Sequence, residues 1–237
     1  MNRLSVDGIN IISSPFKYVN ANMYVIIEDD EAVVIDPHKD EEVTKYLKDV
    51  GVKKVLILPT HEHHDHTSGI YWYQENFESK LICQQETADV MMSKRYLHPM
   101  VISFILEEMD RKNGTHTLEE FKQSFVMKNY HADLMFDEEW AMNWDGHIFK
   151  FFHTPGHSKG STLIIFDDKI AFTGDSLIQD WPIITRFPGS DHNKYVEYTL
   201  PLLQEKLKES YTILPGHGKP FVLGEIMKKG HIDVQFK

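Results

Sequence analysis

The sequence contains a single cysteine, Cys83, and this scarcity excludes an internal disulfide framework. A lone thiol also gives no sign of a metal site built from thiolates. Cys83 lies in the short apolar run at residues 81–83, so we expect it to be a buried strand residue. The chain is therefore expected to fold without covalent cross-links, as a reduced cytoplasmic protein.

Basic residues are also scarce, since 25 Lys and Arg stand against 36 Asp and Glu, for a formal net charge of −11. An acidic chain of this kind is not expected to form the basic surface that binds a phosphate backbone, so nucleic acid is not an expected partner. Long apolar runs are missing too: no window approaches the roughly 20 apolar residues of a membrane span. Residues 1–12 also lack the apolar stretch of a signal peptide. We expect no membrane partner, whereas the oligomeric state stays open.

Two stretches predict the same hairpin. Ile-Ile-Glu-Asp-Asp at residues 26–30 is similar to Ile-Ile-Phe-Asp-Asp at residues 164–168, and each precedes an apolar strand that ends at an aspartate, Asp36 or Asp175. The repeated pattern indicates two similar α/β halves. No linker or low-complexity tract divides the 237 residues, so a single domain over residues 1–237 is predicted.

Residues 86–130, between these halves, show helical patterns without a strand signal. Pro99 suits a first helical turn and Gly114 a helix end, and Thr117 with Glu120 has the spacing of a capping box. The apolar face of this helical insert consists of Met91, Met92, Met100, Phe104, Ile105 and Met109. Two interpretations stay open, a face that packs on the core and a lid or wall of an apolar substrate pocket.

Residues 61–66, His-Glu-His-His-Asp-His, follow a strand-like run and are dense in metal-capable side chains. Three further fragments, Thr-Pro-Gly-His-Ser at 154–158, Thr-Gly-Asp-Ser at 173–176 and Leu-Pro-Gly-His-Gly at 214–218, each follow an apolar run. Each places one ligand-type residue beside a glycine, which permits sharp turns and close approach of the backbone. Together the four fragments predict a composite metal site.

The ordered set H-x-H-x-D-H, followed by His157, Asp175 and His217, resembles the metallo-β-lactamase-fold hydrolases, over nearly the whole chain from Met23 to Gly224. This resemblance implies an α/β (α+β) fold with four αββα layers and a metal site at one edge of the sandwich. It also implies two divalent ions. The first would be held by His61, His63 and His157, the second by Asp65, His66 and His217, with Asp175 bridging both. Zinc is expected, and iron and manganese suit the same donors.

The implied chemistry is hydrolysis by a hydroxide shared between the ions, with Asp65 orienting this nucleophile. Glu62 and His64 are predicted to stand outside the ligand set, and Asp36 to hold a ligand histidine in one tautomer. Three other histidines near the motifs are treated as non-ligands, namely His38, His153 and His192.

The last third of the chain resembles the hydroxyacylglutathione hydrolase (glyoxalase II)-like branch, at residues 174–177, 186–191 and 215–220. That branch implies a small-molecule thioester as substrate. Glyoxalase II enzymes add a helical C-terminal domain that helps to bind glutathione, whereas 20 residues follow His217 here, so another acyl thioester or a related ester is expected. Arg186 and Lys159 are candidates to bind an acidic substrate group. The alternatives are a lactonase or phosphodiesterase on the same scaffold, and a non-catalytic, metal-containing regulatory protein.

Overall fold

Two β-sheets, each with antiparallel and parallel strand pairs, form the centre of the computed structural model, which describes residues 1–179 and 181–228. The strands of the first sheet lie in chain order and are β1 Asn2–Val6, β2 Ile9–Pro15, β3 Asn22–Glu28, β4 Glu31–Ile35, β5 Lys54–Leu58, β6 Glu78–Gln84 and β7 Leu134–Phe136. Those of the second are β8 Glu139–Trp144, β9 His147–His153, β10 Thr162–Phe166, β11 Ile170–Gly174, β12 Thr212–Pro215 and β13 Phe221–Val222.

The helices of the described residues cover both sheets from outside. They are α1 Glu41–Asp49, α2 His64–Thr67, α3 Ile70–Asn76, α4 Gln85–Met92, α5 Met100–Asn113, α6 Thr117–Ser124, α7 His192–Lys194, α8 Leu200–Lys206 and α9 Leu223–Lys228, with a π-helical turn at Tyr195–Thr199. Buried side chains of α1, α3 and α4 pack on the first sheet, and those of α8 and α9 on the second. Between the sheets lies a shared apolar core, where Tyr24 meets Phe172 at 5.5 Å between ring centroids. The predicted αββα layering is confirmed.

Both predicted Asp-Asp hairpins are present, and each leads into a parallel strand pair. Asp29 turns β3 into β4, and Asp167 and Asp168 turn β10 into β11, with φ between 49° and 52°. Aspartate tolerates this left-handed conformation better than most residues do. β4 then pairs in parallel with β5, and β11 with β12. The carboxyl ends of these four strands lead to Asp36, to the histidine-rich residues 61–66, to Asp175 and to His217, and the motif at residues 154–158 follows β9.

The helical insert is confirmed: within residues 86–130, all described, α4, α5 and α6 occur and no strand does. Gly114 ends α5 with a φ of 67°, as predicted. The predicted capping box is wrong, because Thr117 is already inside α6 and the carboxylate of Asp110 accepts hydrogen bonds from its backbone N–H, at 2.8 Å, and from that of Leu118. Asp110 lies seven residues before Thr117 in the sequence. Its carboxylate reaches the start of α6 because the chain turns at Gly114.

The insert answers the question that the sequence left open, because α5 has two apolar faces. Ile102 and Leu106 are buried in a satellite core with Phe16 and Phe121. Ile102 also lines the cavity described below, as do other side chains of α5, Ile105 among them. The insert therefore packs on its own small core and also forms a wall. None of the helices in the described part of the chain combines the length and apolarity needed to span a membrane.

Cys83 is a buried residue of β6, as predicted, and burial raises the pKa of its thiol to about 12. We expect native protein to resist a disulfide reagent such as Ellman's reagent, since the reactive thiolate is on the order of 1000-fold scarcer than for an ordinary thiol. Absorbance should report one reactive thiol only after unfolding in guanidinium chloride. Rapid stoichiometric labelling of the folded protein would show that β6 opens readily.

Candidate metal centre

The seven predicted ligands converge at one edge of the sandwich, where strands of both sheets end. Residues 61–66 follow β5, His157 follows β9, Asp175 follows β11 and His217 follows β12. The sheets are tied together at this edge, because the Asn22 side-chain amide and the Tyr24 hydroxyl both donate to the carbonyl of Pro215, at 3.0 and 2.8 Å. Sequence-distant motifs thus meet in one place.

The first cluster contains His61, His63 and His157, whose ring nitrogens lie within 4.8 Å of one another. His157 Nδ1 faces the carbonyl oxygen of Ile184 at 2.9 Å and so must carry the proton. His61 Nδ1 lies 3.0 Å from the Thr60 hydroxyl, whose own hydrogen goes to Asp36. Both Nε2 atoms therefore present lone pairs, and both lie 3.0 Å from His63 Nδ1. One imidazole nitrogen can donate to only one of them, so the arrangement fits a cation.

The second cluster contains Asp65, His66 and His217. Asp36 accepts a hydrogen bond from His66 Nδ1 at 2.8 Å and one from the Thr60 backbone N–H at 2.6 Å, so in the neutral imidazole Nε2 of His66 faces the cluster with its lone pair. Nε2 of His217 lies 3.3 Å from Asp65 Oδ2. Asp36 thus takes the supporting position that the sequence predicted for it, a common arrangement around metal-binding histidines.

Asp175 lies between the two clusters. Its Oδ2 is 3.5 Å from His157 Nε2 and 3.6 Å from His217 Nε2, and its Oδ1 is 3.6 Å from His66 Nε2. Asp175 Oδ1 and His66 Nε2 are buried and have no hydrogen-bond partner among the described residues. Buried polar atoms normally have a partner, so this pair is a further observation that fits a bound ion.

The electrostatics of the centre favour positive charge. Burial alone would lower the pKa of His66, but Asp36, Asp65 and Asp175 together raise it to about 10. Burial would raise the pKa of Asp65, but the nearby His66 and His217 hold it well below its usual range. By contrast, burial lowers the pKa of His157 to about 4, which keeps that ring neutral. Neutral imidazoles and ionised carboxylates are the forms that bind divalent metals.

Glu62 and His64, the residues between the ligands, have structural roles that the sequence did not specify. Glu62 is buried and accepts hydrogen bonds from the Ser158 hydroxyl at 2.9 Å and from the backbone N–H groups of residues 159 and 160 at 3.1 and 3.2 Å. It thereby fastens the His157 loop to the loop of His61 and His63. His64 contacts Phe125 and Tyr96 of the insert region, at 4.6 and 5.9 Å between centroids. Of the described residues, His38, His153 and His192 join neither cluster.

A cavity of about 490 Å³ opens over both clusters. Asp65, His63 and His217 contribute to its floor, and α5 and the segment at residues 181–188 to its walls. Arg186 belongs to this lining. Lys159, the other residue predicted to bind an acidic substrate group, is exposed and is not among the described residues that line the cavity.

Comparisons with known proteins agree with this arrangement. The family model of the metallo-beta-lactamase superfamily matches residues 17–217. Over 209 residues the chain is 25% identical to the probable metallo-hydrolase YqgX of Bacillus subtilis, covering 86% of this chain and 88% of that protein. It is 26% identical over 223 residues to the hydroxyacylglutathione hydrolase GloC of Haemophilus influenzae, with 91% and 94% covered.

Among solved structures, the chain is similar to the B3 metallo-beta-lactamase BLEG-1, with a TM-score of 0.70 and 25% identity over 92% of this chain and 96% of that one. The family model includes the histidine-rich loop, His157, Asp175 and His217 within its match. The superfamily consists generally of hydrolases and typically binds divalent metals. By fold, by centre and by family match, this chain belongs to the metallo-beta-lactamase superfamily.

Proposed function

We propose that this protein is a dinuclear metal-dependent hydrolase of small-molecule thioesters or related esters. The observation that carries the proposal is the position of Asp175, which lies within 3.6 Å of histidines of both clusters beneath an open cavity. A carboxylate so placed can serve two cations at once, as in two-metal hydrolytic sites. The similarity to a hydroxyacylglutathione hydrolase supports thioesters as the substrate class.

Each cluster has a donor set that suits one divalent ion. His61, His63 and His157 would hold the first ion, Asp65, His66 and His217 the second, and Asp175 both. Imidazole and carboxylate donors suit zinc, which we propose as the natural metal, and also iron and manganese. When bound, such ions lower the pKa of water and polarise the oxygen of a carbonyl group.

Asp65 is the proposed catalytic residue, because it lines the cavity and stays ionised. Its carboxylate would accept a hydrogen bond from the attacking water and so orient its oxygen towards the acyl carbon. The C–O bond then forms and the C–S bond breaks. One proton of the water passes to the sulfur and the other is released to solvent, which gives a carboxylate and a thiol.

The test is elemental analysis of the purified protein, coupled to turnover of thioesters, esters, lactones, phosphodiesters and a β-lactam. We expect about two metal ions per chain, and the highest kcat/KM on thioesters or esters. Preference for lactones or phosphodiesters would replace the proposed substrate class by the corresponding alternative. A fully metallated protein that turns over none of these compounds would support the regulatory alternative, which native mass spectrometry for a bound metabolite would then test.

Arg186 lies in the cavity lining and is exposed, so it can reach an acidic group on a substrate. We expect Arg186→Ala to raise KM for an anionic thioester by up to about fivefold, the effect of an exposed ion pair of about 1 kcal/mol, without changing the metal content. Lys159→Ala is the matched control, since this residue is also exposed and cationic but does not belong to the described cavity lining. Equal kinetics for the two variants would remove Arg186 from the site.

A further inference from the structure

The cavity over the metal centre has an apolar wall on the side of the insert. This wall comes from α5 and consists of Met100, Val101, Ile102, Ile105 and Met109. Methionine side chains adapt to flexible ligands because they are unbranched and rotate freely. Ile102 and Leu106 anchor this wall, because both are buried in the satellite core. A supported apolar surface of this kind favours an apolar ligand group.

The opposite wall is apolar as well and reaches the ligand residues themselves. Trp181 stacks on His217, with 6.1 Å between ring centroids and 17° between planes, and Phe187 meets His63 edge-on at 6.2 Å. Ile183 and Ile184 continue this wall. Each cluster therefore has an aromatic ring at its side, and a ligand group above the centre is enclosed by hydrocarbon on two sides.

Cationic groups of the lining lie on exposed residues, Arg95 and Arg186, while the floor is occupied by the ligand-type side chains. A substrate with its carbonyl on the floor would place its acyl part between the two apolar walls. A polar acyl group, such as a hydroxyacyl group, would lose hydrogen bonds to water there without replacement, which costs free energy. An alkyl chain would gain from the same burial.

From this arrangement we propose that the acyl part of the substrate is an unbranched apolar chain of roughly six to ten carbons, a size suited to a cavity of this class. The chain lies between α5 and the segment at residues 181–188, and Ile105 is among the side chains that contact it. This inference rests on the proposed hydrolase function and specifies its substrate class.

The first test is a series of acyl thioesters of one small thiol, with straight chains from two to twelve carbons. We expect kcat/KM to rise by about three- to fourfold per methylene, the factor that corresponds to burial of one CH₂, and to stop rising when the cavity is filled. A profile that is flat or falls with chain length would overturn the proposal.

Ile105→Trp reduces the volume of the cavity and provides the second test. We expect the ratio of kcat/KM for the ten-carbon and four-carbon thioesters to fall by about tenfold. Phe104→Trp is the matched control, because Phe104 is on the same helix but 58% exposed and outside the described cavity lining. Thermal melting of both variants checks that the fold is kept. An unchanged ratio in Ile105→Trp would contradict the role of Ile105.

Calorimetric binding of straight-chain alkanoates separates this inference from the proposed function. If the protein turns over no thioester or ester but binds decanoate more tightly than butanoate, and Ile105→Trp reduces that difference, the hydrolase proposal fails and the apolar-chain site stands. If thioesters are hydrolysed but neither kcat/KM nor alkanoate affinity depends on chain length, the hydrolase proposal stands and the apolar-chain site is overturned.

Discussion

Replacing Asp175 by alanine should reduce metal binding and hydrolysis together. The side chain lies between the two clusters, 3.5 Å from His157 and 3.6 Å from both His66 and His217, and its loss leaves both without their shared carboxylate. Loss of a residue that merely supports a metal ligand costs about 10- to 100-fold in affinity or activity, so we expect kcat/KM to fall by more than about 100-fold here. Elemental analysis should show fewer than two ions per chain.

Asp168→Asn is the control for this variant. Asp168 carries a carboxylate in the turn of the β10–β11 hairpin, whose second strand leads to Asp175. It forms an ion pair at the surface with Lys150 at 2.7 Å. Metal content and kcat/KM should stay unchanged in this control, and circular dichroism should show that both variants are folded. An Asp175→Ala protein that retains two ions and full activity would refute the bridging role.

Gly216→Ala should have an effect nearly as large, although glycine supplies no ligand. A methyl group at this position would overlap Asp175 Oδ1 and would lie 2.8 Å from His66 Cε1. Gly216 cannot retreat easily, because its N–H donates to the carbonyl of Gly174 at 2.7 Å and its carbonyl accepts from Asn22. We therefore expect the added methyl to displace ligands of both clusters and to lower kcat/KM by about 100-fold. The general cost of overpacking, about 1–3 kcal/mol, should appear as a lower melting temperature.

The comparison variant for this prediction is Gly224→Ala, where an added methyl group would lie 3.0 Å from Glu209, a residue outside both clusters. It should lower the melting temperature slightly and leave the metal content per folded chain unchanged. If Gly216→Ala loses stability but keeps two ions and full kcat/KM, the packing of Gly216 does not control the geometry of the centre.

Local sequence features predicted much of the fold because they act over short distances. The Asp-Asp turns at residues 29–30 and 167–168 and the helix end at Gly114 all appear in the structure. The predicted capping box at Thr117 was wrong because the group that caps this helix is not local in the sequence. The donors of α6 are satisfied by Asp110, which reaches them only through the fold of the chain around Gly114.

The sequence by itself determined the family and the candidate ligands, because the types and order of residues 61–66, His157, Asp175 and His217 are a local chemical signature. Only the tertiary structure decided which side chains meet. It fixed the tautomers of the ligand histidines through Thr60, Asp36 and the Ile184 carbonyl, and it made Glu62 a fastening between two loops. It also turned one face of α5 into a cavity wall. Hydrogen bonds and packing contacts between distant segments depend on where the folded chain places those segments. The type of a single residue does not specify which distant residue it will contact.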